Sequence, residues 1–480
     1  MGVIQFDVEF PEHVPRHGLH HADFVMFDGR IISSETTLND GRLHCHRPQT
    51  DSSHLRILYQ PHVDGAPVVT HTTSLRECDT VYRLEVELAR GELSRLRNFY
   101  GAWVGAGLQT TDVLERLLKD AQRVFFRSTA DGSANDAIQA LLTTRDAVGE
   151  LCRLYTTQRL AFRRERAANF PMSLGCTLQK VPDSPERFLE AFTAAMLQTS
   201  WRDLEPQDGQ YCWDEFDTLV NWASDQRLLL QGGPLIDLVN DSFPEWMNCW
   251  RGDMINMQSF ASDFVETVVS RYIGKIRHWE VVYGGNCGGS CGLSEEQRLN
   301  LVIRSVEAAR QVDEQIQISL RIVQPWGEYL SDTANRLAPI QFIDTLRRTG
   351  VRIAEVNLDI HFGMQPRYSL PRDRLGLSQL LDHWSLLQTP VNVILSLPEF
   401  FPDAEPTPQL DEVQSQWLQQ TLLMCLSKER VTGVTFDSWQ DRPGRKGLLL
   451  PTGTLHPAWN QFCRLEAEFW PRNNPGTGPG

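Results

Sequence analysis

From Ser173 onward the chain alternates short apolar runs with longer amphipathic ones around eight times, and this rhythm restricts the fold more than any other feature. The runs SLGCTL, AAMLQTSW, LLLQGGPLI, HWEVVYGG, QISLRIVQP, IAEVNLDIHFG, PVNVILSLP and VTGVTFDSW read as strands. Between them SPERFLEAFTAAM, DEFDTLVNWASDQ, SFASDFVETVVSRYIG, SEEQRLNLVIRSVEAARQ and LGLSQLLDHWSLLQ carry helical spacing. Apolar strands that alternate with helices imply a parallel sheet covered by helices, and about eight such units predict a closed (β/α)8 TIM barrel of the α/β class. Ser184 and Ser294, each followed by acidic residues, suit helix starts, where a polar cap satisfies free backbone amides.

Upstream, ADFVMFDGR, HLRILYQP, APVVTHTTSL and TVYRLEVELARG are short β-like runs broken by Gly, Asp, Asn and Pro, which predicts a small β-sandwich. The pattern then turns helical, with Leu114, Leu117, Leu118 and Ala121 and later Ala137, Ile138, Leu141 and Leu142 at amphipathic spacing. The expected organisation is a β-rich domain over 1–108, a helical connector over 109–170, the barrel over 171–472 and a disordered tail, NNPGTGPG, over 473–480. The β-rich domain reads either as packing against the barrel or as a carbohydrate-binding-module-like unit.

With 480 residues, 41% hydrophobic and 22% charged, the composition is globular. A net charge of −15 without basic clusters argues against nucleic acid or an anionic membrane surface as partner. The stretch from Arg159 to Arg166 reads as a solvated helix face. The opening MGVIQFDVEFPEHVP lacks a basic region followed by an apolar one, and no run of about eighteen apolar residues occurs, so a soluble cytoplasmic protein is expected. Ten scattered cysteines suit reduced thiols.

Several segments, in order, resemble the family-ten glycoside hydrolases, the xylanase family. WRDLEPQDGQYCWDEFDTLVNWASDQ is similar to the family's Trp-x-x-(Ile/Leu)-Glu-Pro-x-x-Gly stretch and its following helix. LLLQGGPLIDLVNDSFPEWM resembles its Arg-Gly-His-x-Leu-Val-Trp-His stretch, HWEVVYGGN its Trp-Asp-Val-Val-Asn-Glu, LDIHFG its Gln-x-His, and GVTFDSWQDRPGRKGLLLPTGTLHPAW its last strand. The resemblance implies a barrel that acts on or binds an oligosaccharide or polysaccharide, with no cofactor and no metal. Retaining glycosidases need an acid/base and a nucleophile about 5–5.5 Å apart. The resemblance puts the acid/base at Gly284 and the nucleophile near Leu395 to Leu397. The third-strand His positions are Gly233 and Leu238, and the second-strand Lys-Trp pair is Ser200 and Trp201. Glu280, near the start of its strand, reads as structural.

Polar residues nevertheless gather at the carboxy-terminal strand ends, where such barrels carry their sites. Asp359, Asp437 and Glu399 are candidate catalytic carboxylates, with His361 holding one of them ionised. Asp359 and His361 lie two apart and share a face. Asp237, Arg321, Trp326, Trp439 and Asn286 are candidate substrate-binding residues, the two Trp because an aromatic face packs on a sugar ring. The plainer alternative makes all of them hydrogen-bonded loop or pocket residues. Asn286 sits in GGNCGGSCGLS, whose Cys287 and Cys291 could bind a metal or form a redox pair but read better as ordinary thiols of a Gly-rich loop. Three functions stay open: a diverged active hydrolase, a non-catalytic carbohydrate-binding or scaffolding protein, and a metal-dependent enzyme.

Overall fold

A computed structural model of the chain describes all residues except 1, 28, 49, 63–64, 167–171, 241, 332–333, 364–367, 400–406, 442–445 and 470–480. The tail expectation for 473–480 lies outside the described residues. The first eight strands are β1 (Gly2–Asp7), β2 (Asp23–Val25), β3 (Ile31–Ser33), β4 (Glu35–Asn39), β5 (Arg42–Arg47), β6 (His54–Tyr59), β7 (Val68–His71) and β8 (Tyr82–Arg83). They form two four-stranded sheets, ordered β4-β5-β1-β8 and β3-β2-β6-β7. Alternation sends Ile4 and Phe6 of β1 inward, and they share one core with Phe24, Ile32, Leu43, Leu55 and Ile57 from the two sheets.

The run TVYRLEVELARG departs from the strand expected. Its strand stops at Arg83, and α1 (Leu84–Gly105) begins at once. Leu, Glu, Ala and Arg are strong helix formers, and every residue from Leu84 to Ala89 is buried, so the alternating pattern carried no information about which side faces water. Two further helices follow, α2 (Asp112–Asp131), capped by Thr111 accepting from the Leu114 amide at 3.4 Å, and α3 (Ala134–Arg166). Leu96, Leu114, Leu118, Leu151 and Leu160 from these three helices belong to the same continuous core as the barrel residues.

The barrel strands are β9 (Ser173–Leu178), β10 (Ala194–Leu197), β11 (Leu229–Gly232), β12 (Ile236–Asp237), β13 (His278–Tyr283), β14 (Gln317–Ile322), β15 (Glu355–Ile360), β16 (Val391–Leu395) and β17 (Val431–Phe436). β11 and β12 are two pieces of one third strand, and pairing of β17 with β9 and of both pieces with β13 closes a parallel eight-position barrel. Its helices are α4 (Pro185–Ala191), α5 (Trp201–Leu204), α6 (Asp214–Asp225), α7 (Met254–Arg271), α8 (Glu295–Val312), α9 (Pro339–Arg348), α10 (Arg374–Ser385), α11 (Pro408–Ser427) and α12 (Trp459–Phe469). Ser294 forms a full capping box with Gln297, whereas Ser184 stands at an N-cap without a side-chain bond. Among the described residues no helix is long and apolar enough to cross a membrane.

The sandwich is tied to the barrel by main chain and by charge. The Val69 amide of β7 donates to the Pro371 carbonyl at 2.9 Å, and Arg95 of α1 pairs with Asp373 at the start of α10 (Nη1 to Oδ1, 2.9 Å). Gly91 of α1 lies so close to β7 that an added Cβ would overlap the His71 carbonyl, while the same addition at Gly101 meets nothing. We therefore expect Gly91→Ala to lower the thermal midpoint by several degrees, an overpacking cost of about 1–3 kcal/mol. Gly101→Ala should raise it slightly, since Ala suits a helix interior better than Gly by about 0.5–1 kcal/mol. Thermal melts in which the two variants shift together would refute the close approach.

Candidate functional site

The barrel interior is polar in two layers. In the deeper one, Gln231 of β11, Glu280 of β13, Ser319 of β14, Asn357 of β15, Asn392 of β16 and Thr435 of β17 form a continuous network. Gln231 donates to Ser319 Oγ (2.7 Å), Asn392 donates to Asn357 Oδ1 (3.1 Å), Thr435 donates to Asn392 Oδ1 (3.2 Å), and Asn357 Nδ2 donates to Glu280. Glu280 is fully buried, and its Oε1 has no partner among the described residues. Burial pushes its pKa up to about 8, against the pull of Arg321 and the Asn357 hydrogen bond. At neutral pH this acid therefore favours its protonated form.

Above that layer lies a charged one. Arg321 Nη2 meets Asp437 in a short contact and Asp359 Oδ1 at 3.4 Å, so both carboxylates share a single guanidinium nitrogen. Tyr283 Oη donates to Asp359 Oδ2 at 2.6 Å, and its ring lies under the guanidinium carbon at 4.4 Å. Burial opposes the Arg321 charge, but the aspartates outweigh it and hold its pKa well above the ordinary value. A β-bulge makes the arrangement possible. Glu280 and Tyr283 are three apart and would face opposite sides of a regular strand. The register shift between Glu280 and Val282 resets the phase, so both point inward, at Asn357 and Asp359, which are themselves two apart on β15.

The other expected site residues are distributed more widely. His361 stacks on Tyr368 (3.7 Å between centroids), and its Nε2 lies 3.9 Å from Oε1 of the partly exposed Glu399. Asp237 ends β12 but turns its carboxylate onto its own loop, accepting from the Val239 and Asn240 amides (2.8 and 2.9 Å) and from Asn240 Nδ2 (2.8 Å). Asn286 bridges to β14, donating to the Val323 carbonyl (2.8 Å) and accepting from its amide (3.2 Å). Trp326 packs on Phe362 and lines a cavity of about 720 Å³ between sandwich and barrel. Trp439 is 2% exposed and wedged against Phe188 and Phe192. All ten cysteines are thiols, and burial pushes Cys287 up to about 12.

Gly284, where the resemblance puts an acid/base residue, has φ +75°, and an added Cβ would run into Val239 Cγ2. The backbone there is in a conformation that favours glycine. The segment Leu395 to Leu397, where the nucleophile would fall, is at most 2% exposed.

Comparison with known proteins places this barrel. The model of the family described as glycosyl hydrolase family 10 matches residues 189–444, more than half of the chain. The chain belongs to glycosyl hydrolase family 10. Endo-1,4-beta-xylanase A of Phanerodontia chrysosporium is 24% identical over 253 residues, covering 50% of this chain and 57% of that protein. Endo-1,4-beta-xylanase 3 of Hypocrea jecorina is 37% identical over 82 residues, 17% of this chain and 23% of that protein. The chain thus spans between about a quarter and a little over half the length of these curated relatives. Native xylanase 10B of Thermotoga maritima matches in fold with TM-score 0.50 at 14% identity, over 64% of this chain and 98% of that one.

Within this family-10 barrel, Tyr283, Glu280 and the network of Gln231, Ser319, Asn357, Asn392 and Thr435 are interior polar residues that the sequence did not assign to the site. A carboxyl whose folded pKa exceeds its unfolded value binds its proton more tightly when folded. Its stabilising contribution is full below about 4.5 and fades as pH rises to about 8. Glu280→Gln should therefore match the parent chain in thermal midpoint near pH 4.5 and exceed it at pH 8; an equal difference at both values would rule out the buried proton. Arg321→Met strands two buried carboxylates and should cost about 3–5 kcal/mol in urea unfolding at pH 7, and a cost under about 1 kcal/mol would show that the pair does not hold the barrel.

Proposed function

We propose that this chain is a carbohydrate-binding member of its family whose barrel mouth no longer carries out retaining glycoside hydrolysis. The observation that carries this reading is Gly284. Its positive φ and its contact with Val239 leave no room for an acid/base side chain at the place where the resemblance calls for one. The charged layer supports the same conclusion. Asp359 and Asp437, the nearest carboxyls in the charged layer, are both ion-paired with one nitrogen of Arg321.

In this reading Asp359, Asp437 and Arg321 accept and donate hydrogen bonds to sugar hydroxyls at the mouth. His361 and Glu399 flank the bound sugar, and Trp326 offers an apolar face. Asp237, Asn286 and Trp439 shape the loops and core around them. The xylanase relatives make xylo-oligosaccharides the first ligands to test. For the expected division into a β-rich unit within 1–108, a helical connector over 109–170 and a ligand-binding barrel over 171–472, we propose one change, that the helical part begins with α1 at Leu84. Ten free thiols support a reducing compartment such as the cytoplasm.

The second reading, a diverged hydrolase, draws on the closeness of Asp359 and Asp437, which meet on one nitrogen and so lie nearer to each other than the ~6.5–9.5 Å of an inverting pair. Calorimetric titration with xylobiose to xylohexaose, run beside a hydrolysis assay on the same sugars and on aryl xylosides, separates the two. We expect saturable binding without turnover, weakened about tenfold in Asp437→Asn through loss of a charge-assisted hydrogen bond. Turnover that collapses in Asp359→Asn or Asp437→Asn would establish the hydrolase instead.

A further inference from the structure

A second cleft, of about 320 Å³, opens where β7, α1 and α3 meet the barrel at α10 and α11, and none of the residues proposed to meet sugar lines it. Its wall carries four guanidinium groups, from Arg95, Arg145, Arg372 and Arg374, and two carboxylates, from Glu92 and Asp373. Both carboxylates are spent on Arg95, whose Nη2 meets Glu92 Oε2 at 2.6 Å and whose Nη1 meets Asp373 Oδ1 at 2.9 Å. Arg372 is paired with Glu328 at 2.9 Å, and its Nε and Nη1 have no partner among the described residues. Among the described residues, three carboxylates therefore meet four guanidinium groups at the cleft, an excess of one positive charge in a chain whose net charge is −15.

That surplus is located on Arg145 and Arg374. Among the described residues Arg145 of α3 donates to neutral oxygens, Thr70 Oγ1 at 3.1 Å and the Tyr59 carbonyl at 3.4 Å, and burial lowers its pKa against the upward pull of the nearby Glu92 and Asp373. Arg374 opens α10 and lies over Gly149 of α3, where an added Cβ would stand 3.1 Å from its Nη2. The acid in its field, Glu150, is held by Arg153 through two bonds of 2.7 Å. An unpaired cation in such a site is costly unless something neutralises it. Opposite the arginines, Phe362 and Trp417 supply an apolar wall.

We propose that this interface cleft binds a small anionic ligand, a carboxylate or phosphate group carried on a compact ring or chain, with Arg145 and Arg374 gripping the anion and Phe362 and Trp417 packing on its carrier. Two guanidinium forks suit the planar or tetrahedral oxygens of such a group better than any neutral sugar. The volume sits at the lower end of the ~300–1,000 Å³ of small-molecule sites, which suits one ring. None of the residues proposed to meet sugar lines this cleft, and because Phe362 packs on Trp326 the separate readout comes from Arg145 and Arg374, which line the cleft and have no proposed part in sugar binding.

The test is thermal shift and calorimetry on the full chain with inorganic phosphate, glucose 6-phosphate, glucuronate and neutral glucose. We expect a saturable effect from at least one anion and none from glucose, weakened about tenfold or more in Arg374→Gln and in Arg145→Gln. Inorganic phosphate binding as well as glucose 6-phosphate would assign the anion alone; preference for glucose 6-phosphate or for glucuronate would add the carrier and choose between phosphate and carboxylate. Arg374 is only partly buried, so its variant keeps the test valid if Arg145→Gln does not fold. No saturable effect from any of the three anions, or one that persists undiminished in Arg374→Gln, would overturn the proposal.

Discussion

The contact of Arg321 with Asp359 and Asp437 is the constraint around which the barrel is organised. A TIM barrel interior is usually filled with branched apolar side chains, but here β13, β14, β15 and β17 all send polar groups inward, and each needs a partner where water is scarce. One guanidinium satisfies acids from two strands that are not neighbours, with Tyr283 closing the arrangement from a third. Beneath it the Glu280 network is neutral rather than ionic, because its acid keeps a proton. Charge is thus confined to the upper layer, where the loops begin, and neutral polarity fills the depth.

The fold was largely legible because its main signal is periodic. Each of the eight apolar runs became a strand or, in LLLQGGPLI, a strand in two pieces. The error at Leu84 came from a segment buried on every side, where alternation and helical spacing cannot be told apart. The strands β1, β4 and β5 at the start of the chain went unread because β4 (ETTLN) and β5 (RLHCHR) place polar or charged residues at most positions and so lack an apolar run.

The site was legible only in its inventory. Asp359, Arg321 and Asp437 could be placed at strand ends, and they do converge. What could not be read was direction: a single bulge in β13 brings Tyr283 inward, and a local turn takes Asp237 outward onto Val239 and Asn240. Trp439 likewise stands near a strand end in sequence yet packs below it among Phe188 and Phe192. The bulge is a shift of one residue, and the other two are matters of local turn and packing, none of which spacing along the chain encodes.

The Val69 amide bonded to the Pro371 carbonyl makes the edge strand of the sandwich continuous, in hydrogen-bonding terms, with the segment that leads into α10. Together with the Arg95–Asp373 pair next to it, this ties the two units at one place. Cutting the chain before the barrel would leave an unsatisfied carbonyl and a partly stripped ion network on a loop that descends from β15, the strand bearing Asp359. The amino-terminal sheets are therefore not an appendage that could be exchanged for another module; they are part of the scaffold that sets the shape of the barrel's own rim.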